Sequence, residues 1–343
     1  MSGRSGVGLL FAAALVFAAA TMAHAVESEA EESGGNLPFP GSEIDPDRFG
    51  PAPTTPENLD PQRFGGRPSD EAYGAFQRGL YKTALNLAMP RANNGDPAAQ
   101  TLVAEILSRG LGTPRNEAEA AKWYAKAAEQ GIPEAQFQYS LMLLDGNFVK
   151  RDENEAYALL QASAEAGNRL AQFNFAQLLV QREPGEEGFR KAVPYYERAA
   201  QTGLADAQYA MSQIYANGIG GKTQDDAEAR RFLELAARQN YDTAQLDLGT
   251  WNVEGRGGDK DEKAGFRWMR IAAEGGNVAA QNRLAKLYLN GIGTDPNSIL
   301  AAAWYMVAQR AGLRDTSMDN FLHGLTDEEE KQAADRANLM QTR

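Results

Sequence analysis

Two histidines, His24 and His323, and no cysteine set the limits of metal and thiol chemistry in this 343-residue chain. Clustered zinc-type sites draw on several His and Cys ligands, and a thiol nucleophile needs a Cys, so both are excluded. Two short runs imitate known sites. Gly220-Gly221-Lys222-Thr223 resembles the end of a phosphate-binding P-loop, but the motif needs a glycine at 216, where Ala216 stands, and it must follow a strand. Asp45–Gly50 (DPDRFG) imitates the opening of a calcium-binding EF-hand loop, yet Phe49 and Pro56 occupy positions that need oxygen ligands. A carboxylate pair of the glycosidase kind is not excluded by the residues. The acids, however, fall on expected loops and outer helix faces, where a charge is ordinarily solvated. The residues therefore point to no cofactor, no metal ligand and no catalytic group.

The N-terminal 25 residues have one basic residue (Arg4), an apolar run from Val7 to Ala20, and an Ala-His-Ala ending at Ala25. This is the layout of a secretory signal peptide with a small-residue cleavage site. The run is shorter than the ~20 residues that span a bilayer, which favours cleavage over anchoring, and without cysteine the mature end cannot be a lipoprotein. Cleavage removes His24 and Arg4. It leaves 33 basic and 46 acidic residues, a net charge of −13. Such a surface repels nucleic acid and anionic head groups, so neither nucleic-acid binding nor stable membrane insertion is expected.

Residues 26–68 are rich in Pro, Gly, Ser and acids, and read as a disordered arm. Within them IDPDRFG (Ile44–Gly50) returns as LDPQRFG (Leu59–Gly65). A duplicated spacer and a pair of docking cassettes gaining from avidity both account for this.

The elements that would have to position any chemistry come from a repeat. Six units follow residue 95: 96–131, 132–167, 168–203, 204–240, 241–276 and 277–312. A period of this length marks a solenoid of helix pairs. Each unit opens a first helix, A, with Ala-Gln (Ala99-Gln100 to Ala280-Gln281). Four residues after the Gln comes a small residue, from Ala104 to Ala285, preceded by a large one, which allows a close helix crossing. A glycine closes helix A in five units. The column Asn116, Asp152, Gly188, Asp225, Asp261, Asn297 is expected to cap the second helix, B. Glu119, Glu155 and Glu228 stand at capping-box positions. Bulky pairs such as Trp123-Tyr124 and Trp268-Met269 are expected in the core. The closing column, five Gly and Asn240, suits a left-handed C-cap. The third unit lacks the glycine after helix A and is expected to turn on Pro184-Gly185.

These marks resemble the Sel1-like repeat, a relative of the tetratricopeptide repeat: the Ala-Gln opening, the Gly-x-Gly after helix A, and the Trp-Tyr…Ala-Ala…Gly of helix B. The resemblance covers residues 96–312. It implies an all-α fold, a right-handed α-solenoid of antiparallel helix pairs. Residues 69–95 read as a shortened first pair. In 313–343 a polar link carrying His323 leads to a capping helix that begins with a Thr326–Glu329 capping box.

In the related tetratricopeptide fold helix A lines a peptide-binding groove. Carried over, this places Phe137, Phe173, Tyr209 and Leu246 on the groove, with Leu141, Leu144 and Val180 nearby and polar ends at Thr101 and Asn282. The same rings would also serve as packing between adjacent A helices, and both readings stand. Some Sel1-like proteins are linked to β-lactam binding, but no Ser-x-x-Lys tetrad occurs here, which counts against an acyl-serine enzyme. The resemblance implies a non-enzymatic periplasmic scaffold or regulator in the bacterial cell envelope. Its partner would be an envelope protein or peptide such as a sensor kinase or envelope-assembly factor. The alternative is an envelope enzyme or glycan-binding protein acting on peptidoglycan.

Overall fold

A computed structural model of the protein describes residues 70–341, and helix is the regular secondary structure found among them. The expected signal peptide and the acidic arm lie outside the described residues. The chain divides into two units, meeting in sequence at Pro184 and Gly185. The first holds α1 (Glu71–Gln77), α2 (Tyr81–Asn93), α3 (Pro97–Arg109), α4 (Glu117–Glu129), α5 (Pro133–Asp145), α6 (Glu153–Glu165) and α7 (Arg169–Arg182). The second holds α8 (Glu186–Gln201), α9 (Ala205–Asn217), α10 (Asp226–Ala237), α11 (Asp242–Glu254), α12 (Glu262–Glu274), α13 (Val278–Asn290), α14 (Ser298–Arg310), α15 (Thr316–His323) and α16 (Asp327–Gln341). Within each unit helices pack mainly on their sequence neighbours, and α14 takes both α15 and α16. This is an all-α repeat solenoid.

Helix starts follow the cap column. Asn116, Asp152, Asp225, Asp261 and Asn297 each accept a backbone N–H from the first turn of a B helix. Gly188 does not: α8 starts at Glu186, after the Pro184-Gly185 turn, and Gly188 is buried inside it. The capping-box acids also depart from expectation. Glu119 and Glu228 pair forward with Lys122 and Arg231, leaving the N-cap side chain to hold the turn alone. The reciprocal box does form at Thr326 and Glu329, each bonded to the other's backbone N–H.

The bulky pairs divide unequally. The second member is always buried: Tyr124, Leu160, Tyr196, Leu233, Met269 and Tyr305. The first is buried in Trp123, Phe232 and Trp304 but only half-buried in Leu159, Tyr195 and Trp268. Trp268 therefore belongs to the margin of the core, and Met269 occupies its interior. Facing these pairs, Ala104, Ser140, Ala176, Ser212, Gly249 and Ala285 are all buried. A methyl on Gly249 would lie 3.1 Å from the Met269 nitrogen, which is how closely α11 and α12 cross.

The Gln of every Ala-Gln has one structural task. Its Nε2 donates to the backbone carbonyl eight residues earlier, at Ala92, Ala128, Ala164, Ala200, Ala237 or Ala273, at 3.0–3.4 Å. The last carbonyls of an α-helix lack intrahelical partners. Here each of these carbonyls also accepts the N–H of its closing Gly or Asn, so each Gln adds a second bond that ties the end of one B helix to the first turn of the next A helix. Segment 313–343 carries two helices: the link is α15, and α16 buries Ala333 and Ala337 against Ala302, Ala303 and Val307. His323 is exposed at the end of α15.

Candidate partner-binding face of the A helices

The residue following each Gln is treated differently along the chain. In the first unit Thr101 is buried, donating its hydroxyl to the Pro97 carbonyl at 2.8 Å. Phe137 is only 4% exposed. Leu141 and Leu144 on α5, and Phe173 and Val180 on α7, are half-buried. Phe137 therefore offers little surface, while its neighbours on the two helices offer more.

In the second unit the face gains polar groups. Tyr209 on α9 donates its hydroxyl to Asp247 Oδ2 on α11 at 3.0 Å, and its ring stacks on Tyr241 at 5.1 Å. Leu246 packs against the cluster of Leu284 and Tyr305. One turn along α11, Thr250 accepts a hydrogen bond from Arg283 Nη1 on α13 at 2.7 Å. Asn282 donates to Asp315 Oδ2 at 2.9 Å, and Lys286 pairs with the same carboxylate at 2.7 Å. Arg256 stacks over Trp251 and pairs with Asp226 at 2.9 Å.

The electrostatics follow from burial. Burial pushes the Asp247 carboxyl up to about 6, against the opposing pull of the Tyr209 hydrogen bond and of Arg283 and Arg256. Burial and the Asp247 charge push the Tyr209 hydroxyl up in turn, and Tyr241 is raised to about 12 by burial and by Asp206, Asp242 and Asp247. Burial works to raise Asp315 as well, but Lys286, Asn282, Ser317 and the Met318 N–H outweigh it and hold that carboxyl well below the usual range.

The sequence reading found Tyr209 and Leu246 and missed Tyr241, Asp247, Thr250 and Arg283. The signal was available: Asp247 and Arg283 stand two residues after their Gln, and Thr250 five after, positions whose identity changes between repeats. The Gly220–Thr223 run does hold an anion, though an internal one. The N–H groups of Gly220 and Gly221 donate to the Glu186 carboxylate at 3.1 and 2.8 Å. Among the described residues no cluster of three His, Asp or Glu could hold a metal, and no helix is long and apolar enough to cross a membrane.

Comparison with known proteins decides the family. The Sel1 repeat matches six segments: 97–132, 133–168, 171–204, 205–241, 243–277 and 278–305. The chain belongs to the Sel1 repeat family. Sel1 repeats generally serve as protein-interaction scaffolds. A Sel1 repeat protein from Oxalobacter formigenes has a similar structure, with a TM-score of 0.60 and 26% identity, over 71% of this chain and 97% of that one. The protective antigen c5321 of uropathogenic Escherichia coli, also an SLR fold, gives 0.54 and 27% identity over 76% of this chain and 64% of that one. A stretch of 97 residues is 33% identical to the chitin synthase regulator SKT5 of Saccharomyces cerevisiae, covering 28% of this chain. The match spans only 14% of that regulator's length.

Proposed function

We propose that this Sel1 repeat protein is a non-enzymatic scaffold or regulator of the bacterial cell envelope. In this reading it is exported to the periplasm and holds a partner protein or peptide on the face of its A helices. The observation that carries the reading is the row Tyr209, Asp247, Thr250 and Arg283, where three successive A helices of one unit present aromatic and charged groups that the repeat itself does not require. Tyr and Arg dominate binding energy in interfaces out of proportion to their number. The N-terminal sequence supports export, and the similarity to a chitin synthase regulator is in keeping with control of another protein. Capture from the periplasm by the mature chain is the test. Arg283→Ala and Asp247→Asn are expected to weaken capture of the partner at least tenfold with no fall in the melting midpoint at pH 7, whereas Arg267→Ala on the exposed side of α12 leaves capture intact. Undiminished capture by both face variants would overturn the reading.

One observation favours the alternative, an enzyme or binder of peptidoglycan glycan: Asp247 is a raised carboxyl beside two tyrosines. Raised carboxyls mark acid–base sites as well as packed ones. Turnover of peptidoglycan fragments by the wild type but not by Asp247→Asn would establish the enzyme, and neither turnover nor binding of those fragments by the wild type would remove the alternative.

A further inference from the structure

Where glycine follows asparagine, the side-chain amide is open to attack by its own main chain, because glycine leaves the next nitrogen uncrowded and its φ unrestricted. The pair occurs three times, at Asn94-Gly95, Asn217-Gly218 and Asn290-Gly291. All three stand at the end of a helix, and in all three the glycine has a positive φ. Their surroundings separate one from the other two.

At Asn217 and Asn290 both reacting groups are held. Asn217 Nδ2 donates to the Gln213 carbonyl at 2.8 Å, and Asn290 Nδ2 to that of Lys286 at 2.9 Å. The glycines that follow are packed against their own loops. A methyl on Gly218 would lie 2.9 Å from the Gln224 nitrogen, and one on Gly291 2.7 Å from the Pro296 ring. Asn94, just past the end of α2, differs in both respects. It is exposed, and its side chain bonds to no described residue. Gly95 is exposed too, with nothing within 4 Å of the place a methyl would take. Its N–H is bonded to the Ala92 carbonyl at 3.0 Å, and that one bond must open before the nitrogen can turn onto the neighbouring side chain.

We infer that Asn94 is a site of spontaneous modification, deamidating through a cyclic imide with Gly95 while Asn217 and Asn290 stay intact. The Gly95 nitrogen loses its proton and bonds to Asn94 Cγ. The bond from Cγ to the side-chain nitrogen breaks, and that nitrogen leaves as ammonia. Water then opens the five-membered ring at one of its two carbonyls. The product is aspartate, or an isoaspartate whose main chain runs through Cβ. One water is consumed for each ammonia released, and no other reactant is needed.

Both products fall on the joint between the first helix pair and the first repeat. A carboxylate at 94 stands at the negative end of the α2 dipole. It is also two residues from Asp96, whose partner Arg91 is already shared with Asp70. Isoaspartate adds a main-chain carbon immediately before Gly95. That turn carries the Gly95 N–H to the Ala92 carbonyl and the Asp96 N–H to that of Arg91, and it sets Gln100 opposite Ala92. Ageing of the protein thus loosens α1 and α2 from α3 and leaves the six repeats closed.

Peptide mapping by mass spectrometry tests this on the full folded chain, held at pH 8 and sampled over days. Amide-to-acid conversion at Asn94 is expected to run at least tenfold faster than at Asn217 or Asn290. In urea, where the chain is unfolded, the three rates are expected to converge. Equal rates in the folded chain would overturn the inference. So would a preference for Asn94 that persists undiminished in urea, because local sequence and not the fold would then set the order. Asn94→Gln lengthens the side chain and slows ring closure, so it separates the modification from its consequence. Hydrogen exchange at residues 81–96 is expected to quicken several-fold as the wild type ages but not as Asn94→Gln ages. Unchanged exchange in fully converted wild type would overturn the loosening of the first pair.

Discussion

Asp247 is the residue whose chemistry differs most from its neighbours. Its carboxyl is raised to about 6, so between roughly pH 4 and 6 the folded chain binds a proton that the unfolded chain releases. The native state loses stability as pH rises through that window and changes little from this source above it. Asp247→Asn removes the group, so its unfolding free energy should gain on the wild type by about 1–2 kcal/mol from pH 4 to pH 7. Paired denaturant titrations at those pH values check this, and a constant difference would show that Asp247 titrates normally. Gln245 offers a contrasting case without charge. Removing its amide takes away one of the two bonds to the Ala237 carbonyl, which keeps the Asn240 N–H at 3.1 Å, and Gln245→Ala should cost about 0.5–1.5 kcal/mol, read as a fall in the urea midpoint. The Ala-Gln mark was plain in the sequence as a helix opening. Its bond to the preceding helix was not, because a residue eight positions back leaves no trace in a helical period.

At the scale of elements, the loops decide how closely repeats approach. A methyl on Gly293 would stand 2.1 Å from the Glu262 carbonyl oxygen at the start of α12, and one on Gly257 2.2 Å from that of Asp226 at the start of α10. Gly312 has a positive φ but open space around it. Gly293→Ala should therefore cost about 2–4 kcal/mol, from clash and backbone together. Gly312→Ala should cost only about 1–2 kcal/mol, from backbone alone. Thermal melts of the two variants decide between this and a common glycine effect. Burial likewise separates two tryptophans that look equivalent in sequence. Trp123→Ala should cost about 3–5 kcal/mol as a core truncation, and Trp268→Ala about half as much. Helix starts, stops and crossing points were legible because each rests on a local preference for one residue type. Gly188 misled because the third repeat moves its cap to Gly185 and takes Gly188 into the first turn of α8, which its place in the column does not reveal. Which rings would be enclosed, as Phe137 is, and which would stay half-open, as Phe173 is, depended on neighbouring repeats and could not be read from one column.

For the whole molecule, the sequence expects export, with a mature chain beginning at Val26. Mass spectrometry of the protein from the periplasm should find that terminus, and an intact Met1 would sink the expectation. The groove residues read from the sequence lie on the same A helices as the candidate face and include one member of its polar row, Tyr209. The remainder, Asp247, Thr250 and Arg283, escaped because the reading looked for apolar anchors and these are hydrogen-bonded across helices.

The glutamine bonds also bear on how such a chain grows. Each one joins a residue to another eight positions before it, so both partners survive whenever a whole period is copied or lost, wherever the cut falls outside that short span. A gain or loss of 37 residues within 204–276 would leave every remaining amide opposite a carbonyl. A change of any other length spares the pair only where it, too, falls outside that span. Crossing-over between repeats in register therefore leaves these bonds in place, and copy number can drift without loss of the joint between one helix pair and the next.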